Sequence, residues 1–389
     1  MNNSINLSAV ASTSDITELA QSGSLKQSDY TTLDESNSTI LWDYASKNGN
    51  LELVKMLHTQ TNPFYWSKNA PGHAIMEGHL NLLAYFREKK YPSTAEICMN
   101  AVVMKEDTIA LNFLKNENYY WDVNICFRLA IHEQKIKILQ YLIEMGRSLY
   151  LEDVTLAIAL GKLDVIKYFC TLKSWNDKLC EIASEFGRLE ILQYFHENGY
   201  PWNEQTWLKA ILNTRFDIME YLFTEKCPWN AICFKMAAKS DNLKLLKWLH
   251  LKGCPWNAKT FSEAAALGNL DIVNWLRLEK CPWDEESCEM AAKEDHLEVL
   301  KYLHENKCPW NERTSMGAAA GGHLTVLKYL HNEKCPWNAG ACNLAARNGK
   351  LETLKYLYEN GCKIGPNTVQ FAKMGNNAAV INYLKELSL

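Results

Sequence analysis

An all-α solenoid of stacked helix-turn-helix repeats is the fold that this 389-residue sequence predicts, and three observations carry the prediction. The dipeptide Pro-Trp recurs at Pro201-Trp202, Pro228-Trp229, Pro255-Trp256, Pro282-Trp283, Pro309-Trp310 and Pro336-Trp337, always at a step of 27 residues. Trp175 and Trp121 keep the same phase, and Trp66 departs from it by one residue, so nine of the 13 tryptophans are copies of one position. Each period also holds two short amphipathic helical patterns separated by a turn. A helix pair this short cannot bury its apolar stripe alone and is stabilised by stacking on a neighbour.

The elements follow in order within one period. Pro ends the preceding element because it cannot continue a helix. Asn (Asp284 in one copy) follows the Trp and is a favoured N-cap, its side-chain oxygen accepting an orphan backbone N–H. Apolar or small residues then recur at +5, +8, +9 and +12 from the Trp, for example Phe261, Ala264, Ala265 and Gly268, within one helical stripe. Gly49, Gly78, Gly187, Gly268, Gly322 and Gly349 mark the turn. The second helix begins in one copy at Leu297, buries Val299, Leu300 and Leu303, and turns Glu298, Lys301 and Glu305 outward.

The position of Leu324 can be followed through the chain as Leu51, Leu80, Thr108, Ile136, Leu163, Leu189, Phe216, Leu243, Leu270, Leu297, Leu324, Leu351 and Ala378, which predicts thirteen helix pairs. Phase slips fall between Trp66 and Trp121 and at Ser174. In the last copy Cys362-Lys363-Ile364-Gly365 replaces Cys-Pro-Trp-Asn, as suits a terminal repeat with one face in solvent. The array is expected over 40–389, preceded by a polar segment, 1–39, in which Ile16, Leu19 and Ala20 could form one capping helix. At about 150 residues per domain the length suggests two or three globules, whereas the period makes it a measure of solenoid length.

Lys and Arg total 41 against 45 Asp and Glu, a net charge of −4. With no basic surplus to neutralise phosphates, nucleic acid is not expected as a partner. No uninterrupted apolar run approaches about 18 residues, so no membrane contact is expected. The Asn/Ser-rich start lacks the basic and apolar regions of a secretory signal. With the 13 cysteines, an odd number, this points to reduced thiols and a cytoplasmic location. A monomer is expected.

The run Leu344 to Gly361, with its Leu-Ala-Ala, its turn at Gly349 and its amphipathic second helix, resembles the core of an ankyrin repeat. The resemblance covers about Ile40 to Leu389, with departures. The usual ankyrin period is 33, and the residues missing here are those of the β-hairpin finger; the Thr-Pro-Leu-His start is absent too. The Cys-Pro-Trp-Asn variant is similar to ankyrin-type proteins of giant DNA viruses of amoebae and of some protists, which would put the protein in a host cytoplasm. Many of those viral proteins carry an N-terminal F-box, and a ubiquitin-ligase adaptor is the alternative that the resemblance implies. Met1 to Thr39 shows no F-box-like opening.

A Trp ladder can stack bases or sugars, but one indole per repeat is more simply an inter-repeat packing residue. The ladder Cys227, Cys254, Cys281, Cys308, Cys335 and Cys362 forms i,i+4 pairs with His250, His304 and His331, half of a zinc site each. The cysteines replace the small buried residue of the ankyrin pattern, so no metal or cofactor is expected, with a metal-binding protein kept as a third reading. Disulfides along the ladder are not expected, because stacked helices lie about 8–10 Å apart. His304-Glu305 begins like H-E-x-x-H, but Cys308 stands where the second His belongs. No phosphate loop or nucleophile elbow appears, and repeated copies offer no asymmetric constellation, so no catalytic residues are assigned.

Function is expected at the variable positions of the first helix, +3, +7 and +10 from the Trp, which lie opposite the buried stripe. There Gln205, Lys209, Lys239, Lys259, Glu263, Glu286, Lys293, Arg313 and Arg347, interspersed with Ile232, Met236 and Met290, vary while the stripe behind them stays nearly fixed. The expectation is a non-enzymatic scaffold that binds a partner protein through the concave helix-one face.

Overall fold

The computed structural model describes residues 17–18, 20–22, 33–60, 66–91, 102–106, 108–116, 122–175 and 178–387. Among them the regular structure is helical throughout, with no strand. The chain divides into two compact units, Met1–Trp175 and Asn176–Leu389. Of the expected capping helix, Ile16 and Leu19 lie outside the described residues; Ala20 is helical.

The first unit contains α1 (Glu35–Lys47), α2 (Leu51–Gln60), α3 (Ala70–Glu77), α4 (Leu80–Glu88), α5 (Thr108–Asn116), α6 (Val123–His132), α7 (Ile136–Glu144), α8 (Leu151–Leu160) and α9 (Leu163–Leu172). Helical residues 102–105 precede α5 and complete its pair. The second unit is eight pairs. They are α10 (Leu179–Glu185) and α11 (Leu189–Glu197), α12 (Glu204–Leu212) and α13 (Phe216–Thr224), α14 (Ala231–Ala238) and α15 (Leu243–Leu251), and α16 (Ala258–Leu267) and α17 (Leu270–Leu278). There follow α18 (Glu285–Lys293) and α19 (Leu297–Glu305), α20 (Glu312–Gly321) and α21 (Leu324–Asn332), α22 (Ala339–Arg347) and α23 (Leu351–Glu359), and α24 (Pro366–Met374) and α25 (Ala378–Glu386). Every second helix starts at the residue that the repeat phase assigns to it, from Leu51 to Ala378.

Local chemistry sets the boundaries. Asn203, Asn230, Asn257, Asp284, Asn311 and Asn338 are extended N-caps, and each side-chain oxygen accepts the N–H two residues on. Such a cap is worth about 1 kcal/mol against alanine. The turn residue at +12 is left-handed whether it is glycine, as Gly268 (φ +76°), or Thr214, Asp241 or Asp295. The residue after it reaches back to the preceding repeat: His296 Nε2 lies 2.8 Å from Ala266 O, and His323 Nε2 lies 2.8 Å from Lys293 O. These ring N–H groups satisfy carbonyls that a helix end leaves without a partner.

In the second unit the first helices form one row, each packed on the next from α10 to α24; contacts between successive second helices are sparser. The core lies between the rows. Phe261, Ala264 and Ala265 from α16 and Val299, Leu300 and Leu303 from α19 are buried there, with the ladder cysteines at 2–5% exposure. The paired alanines leave little side chain between neighbouring first helices, which permits the close row.

A candidate partner-binding face on the first helices

A recurring geometry joins the +5 residue of a first helix to the residue 20 positions later, in the turn that closes the pair. In the second unit these rungs are Cys180/Tyr200, Trp207/Cys227, Phe234/Cys254, Phe261/Cys281, Cys288/Cys308, Ser315/Cys335 and Cys342/Cys362. Each ladder cysteine also points its thiol at the N-cap carbonyl of that pair's first helix: Cys227 at Asn203 O (3.6 Å), Cys308 at Asp284 O (3.4 Å) and Cys362 at Asn338 O (3.3 Å). Burial pushes the Cys227 and Cys281 thiols up to about 12 and Cys335 to about 11, since the apolar surroundings disfavour thiolate. These cysteines fasten the start of a first helix to the end of the second.

The tryptophans occupy the other end of the turn. His196 stacks on Trp202 at 3.7 Å, His250 on Trp256 at 4.2 Å, His304 on Trp310 at 3.8 Å and His331 on Trp337 at 4.4 Å. The next second helix supplies an edge-on aromatic to each, respectively Tyr221, Trp275, Tyr329 and Tyr356. Where the histidine is replaced, Phe223 meets Trp229 and the Arg277 guanidinium lies 4.2 Å over Trp283. His196 Nδ1 and His304 Nδ1 engage the hydroxyls of Tyr221 and Tyr329 at 2.9 and 3.1 Å. The ladder is an inter-repeat aromatic spine. Trp121 lies outside the described residues. The His/Cys pairs therefore diverge, the ring onto indole and the sulfur into the core. Among the described residues no cluster of three or more His, Cys, Asp or Glu could hold a metal ion.

The variable first-helix residues form ion pairs from repeat to repeat. Lys209 Nζ lies 2.8 Å from Glu185, Lys239 Nζ 3.3 Å from Glu263, and Arg313 Nε 2.9 Å from Glu289. Lys259 pairs with Glu286, whose carboxylate holds the ammonium above its ordinary range, whereas Lys293 pairs within its own repeat with the adjacent Glu294 at 3.4 Å. Gln205 and Arg347 are exposed on the same face. The sequence reading missed Lys235, 3.0 Å from Glu263, and Glu289, both at +6, and Glu185 at +10 of an earlier copy. Helical spacing reveals the first two, since +6 neighbours +3 and +10 at i+3 and i+4.

The first unit replaces a ladder cysteine by Arg147. Its rung partner is Phe127, whose ring lies 4.0 Å below the guanidinium. Arg147 binds Asp153 with both terminal nitrogens, Nη2 to Oδ1 at 2.9 Å; the side chains are only 10% and 5% exposed. Asp153 also accepts the Tyr150 N–H at 2.9 Å, which caps α8. The segment on which an F-box would lie, 1–39, falls largely outside the described residues.

Comparison with solved structures returns helical-repeat proteins. The pentatricopeptide repeat protein PPR10 from maize is similar at 10% identity, covering 97% of this chain and 68% of that one, with a TM-score of 0.33. PPR10 in complex with an 18-nt psaJ RNA element is 14% identical, covering 96% of this chain, which spans 63% of its length, with a TM-score of 0.36. Likeness at this level assigns no ligand to this chain. Beside an RNA-bound neighbour the expectation that nucleic acid is excluded is not upheld, and it is withdrawn. Net charge averages over the whole chain, whereas binding responds to local potential, so the sum of −4 is no ground for that exclusion. Among curated proteins none matches the sequence. Residues 288–368 match the family model for ankyrin repeats in three copies, a repeat that generally mediates protein–protein interaction.

Proposed function

We propose that the protein is a non-enzymatic scaffold that binds a partner protein on the face built by its first helices. The observation that carries this reading is the contrast between the two sides of those helices. The buried side stays apolar or small along the second unit, with alanine at +8 in every copy from Ala183 to Ala345, while the outer side changes charge and polarity from copy to copy. Stability rests mainly on the buried side, so the variation is free to encode one partner. The reading extends the ankyrin-type character matched at 288–368 to the rest of the array, as a short variant closed by Cys-Pro-Trp-Asn turns. The row of first helices, the closer-packed of the two, is the concave side in this reading.

Simple charge reversal is a poor test, because Lys259→Glu would set two carboxylates together beside Glu286 and weaken the fold. Paired swaps separate the two effects. Lys259→Glu with Glu286→Lys, and Arg313→Glu with Glu289→Arg, keep the ion pairs and invert the outward pattern. Affinity capture with mass spectrometry is expected to recover partners with the native protein and to lose them with the swapped variants, at unchanged thermal stability. Undiminished capture by the swapped variants would refute the face assignment.

A further inference from the structure

Most rungs of the second unit set a cysteine against an aromatic ring or a hydroxyl. Two rungs instead pair thiol with thiol, Cys288 with Cys308 and Cys342 with Cys362, and in the second, which closes the α22–α23 pair, the two sulfurs are in direct contact. Cys342 is fully buried in α22, Cys362 is 4% exposed in the turn before α24, and their sulfurs are 2.8 Å apart. That separation lies between an ordinary non-bonded contact and the ~2.05 Å of an S–S bond. The adjacent rung is a built-in comparison: Ser315 takes the place of Cys342, and its hydroxyl lies 3.4 Å from Cys335 Sγ. Cys335 therefore has a hydroxyl where Cys362 has a thiol.

We infer that Cys342 and Cys362 are a latent dithiol that closes to an intrarepeat disulfide when the protein meets a hydroperoxide. Cys362 is the first nucleophile, being at the rim of the core and accepting the S–H of Cys342. That hydrogen bond holds Cys362 below the ordinary thiol range and Cys342 above it. The Cys362 thiolate attacks the distal peroxide oxygen, the O–O bond breaks, and hydroxide leaves with a proton from solvent to give a sulfenic acid. Cys342 sulfur then attacks Cys362 sulfur, the S–O bond breaks, and the Cys342 proton departs with the hydroxyl as water. Two thiols are oxidised by two electrons, and one hydrogen peroxide is reduced to two waters. Peroxide suits the site because neither sulfur is open to a bulky disulfide reagent.

The bond would tie α22 to the turn that starts α24 and leave the ion-paired outer face untouched, so the inference is independent of the partner reading. The test exposes the full-length native protein to hydrogen peroxide, blocks remaining thiols, and maps tryptic peptides without reduction. Cleavage after Arg347, Lys350 and Lys355 separates the two cysteines, and because Cys335 and Cys342 share the peptide 335–347, fragmentation of the linked pair assigns which of them is bridged. The expected result is a linked species joining Cys342 to Cys362, with Cys335 recovered as blocked thiol, whether or not Cys288 and Cys308 also link. It should be lost in Cys342→Ser, a change that copies the Ser315 rung and is therefore compatible with the fold; an unchanged circular dichroism melt of that variant checks this. Cys342 and Cys362 both recovered as blocked thiols while the half-buried Cys170 is oxidised would overturn the inference, as would a link from Cys362 to Cys335.

Discussion

Replacing Asp153 by alanine is expected to destabilise the first unit by about 3–5 kcal/mol, the cost of leaving a buried charge without its partner. The structure supplies the reasons. Arg147 is only 10% exposed, packed over Phe127, and both terminal nitrogens go to Asp153. The same carboxylate caps α8 through the Tyr150 N–H, so a further ~1 kcal/mol of cap stabilisation falls within the upper part of that range. The array itself shows how to remove the charge safely. Phe234 and Phe261 occupy the same rung position as Phe127 and face Cys254 and Cys281; Thr206 and Thr260 take the place of Asp153 in α12 and α16. The double change Arg147→Cys with Asp153→Thr should therefore lie within about 1 kcal/mol of the native protein, because a buried ion pair exchanged for well-fitting neutral groups is close to neutral. The assay is urea unfolding followed by hydrogen exchange of amides in α6, α7 and α8, which isolates this region from the second unit. Loss of less than about 1 kcal/mol in Asp153→Ala, or a double variant no better than the single one, would refute the reasoning.

Alkaline titration and the aromatic spine give two more expectations. In the folded protein the Cys227 and Cys281 thiols titrate near 12, above an ordinary value of 9.0, so the unfolded chain binds fewer protons between the two. Stability is therefore full below pH 9 and falls as pH rises toward 12; urea midpoints measured across that range should fall less steeply in Cys227→Ala and Cys281→Ala. Trp310→Ala removes an indole stacked on His304 and edged by Tyr329; because the ring is half-buried, the loss should be about 2–3 kcal/mol, below the 3–5 of a fully buried tryptophan. A urea series on that variant checks the value, and a change under 1 kcal/mol would mean that the spine is ornamental.

Much of this fold is legible because one pattern is repeated. The residues that begin the second helices could be placed from Leu51 to Ala378, since each follows a turn residue at a fixed step. The indole at Trp310 and the thiol at Cys308 were readable as packing groups for the same reason. What stays hidden is the chemistry that differs between copies. Nothing in the spacing shows that Lys259 meets Glu286, or that Lys235 and Lys239 share Glu263, because those contacts join side chains 24 to 28 residues apart. The Arg147–Asp153 pair is hidden too, since it lies in a copy with no Trp at the expected place and is out of phase by one residue.

The rungs have one more consequence. After the small Cys180 their first members jump to Trp207 and then shrink through Phe234 and Phe261 to Cys288, Ser315 and Cys342, and α18 lies against α20 more extensively than α12 against α14. A side chain at that place acts as a shim between neighbouring layers. The array therefore behaves like a ruler with unequal divisions, and one substitution in its interior would re-space the marks on its outer face without altering any of them.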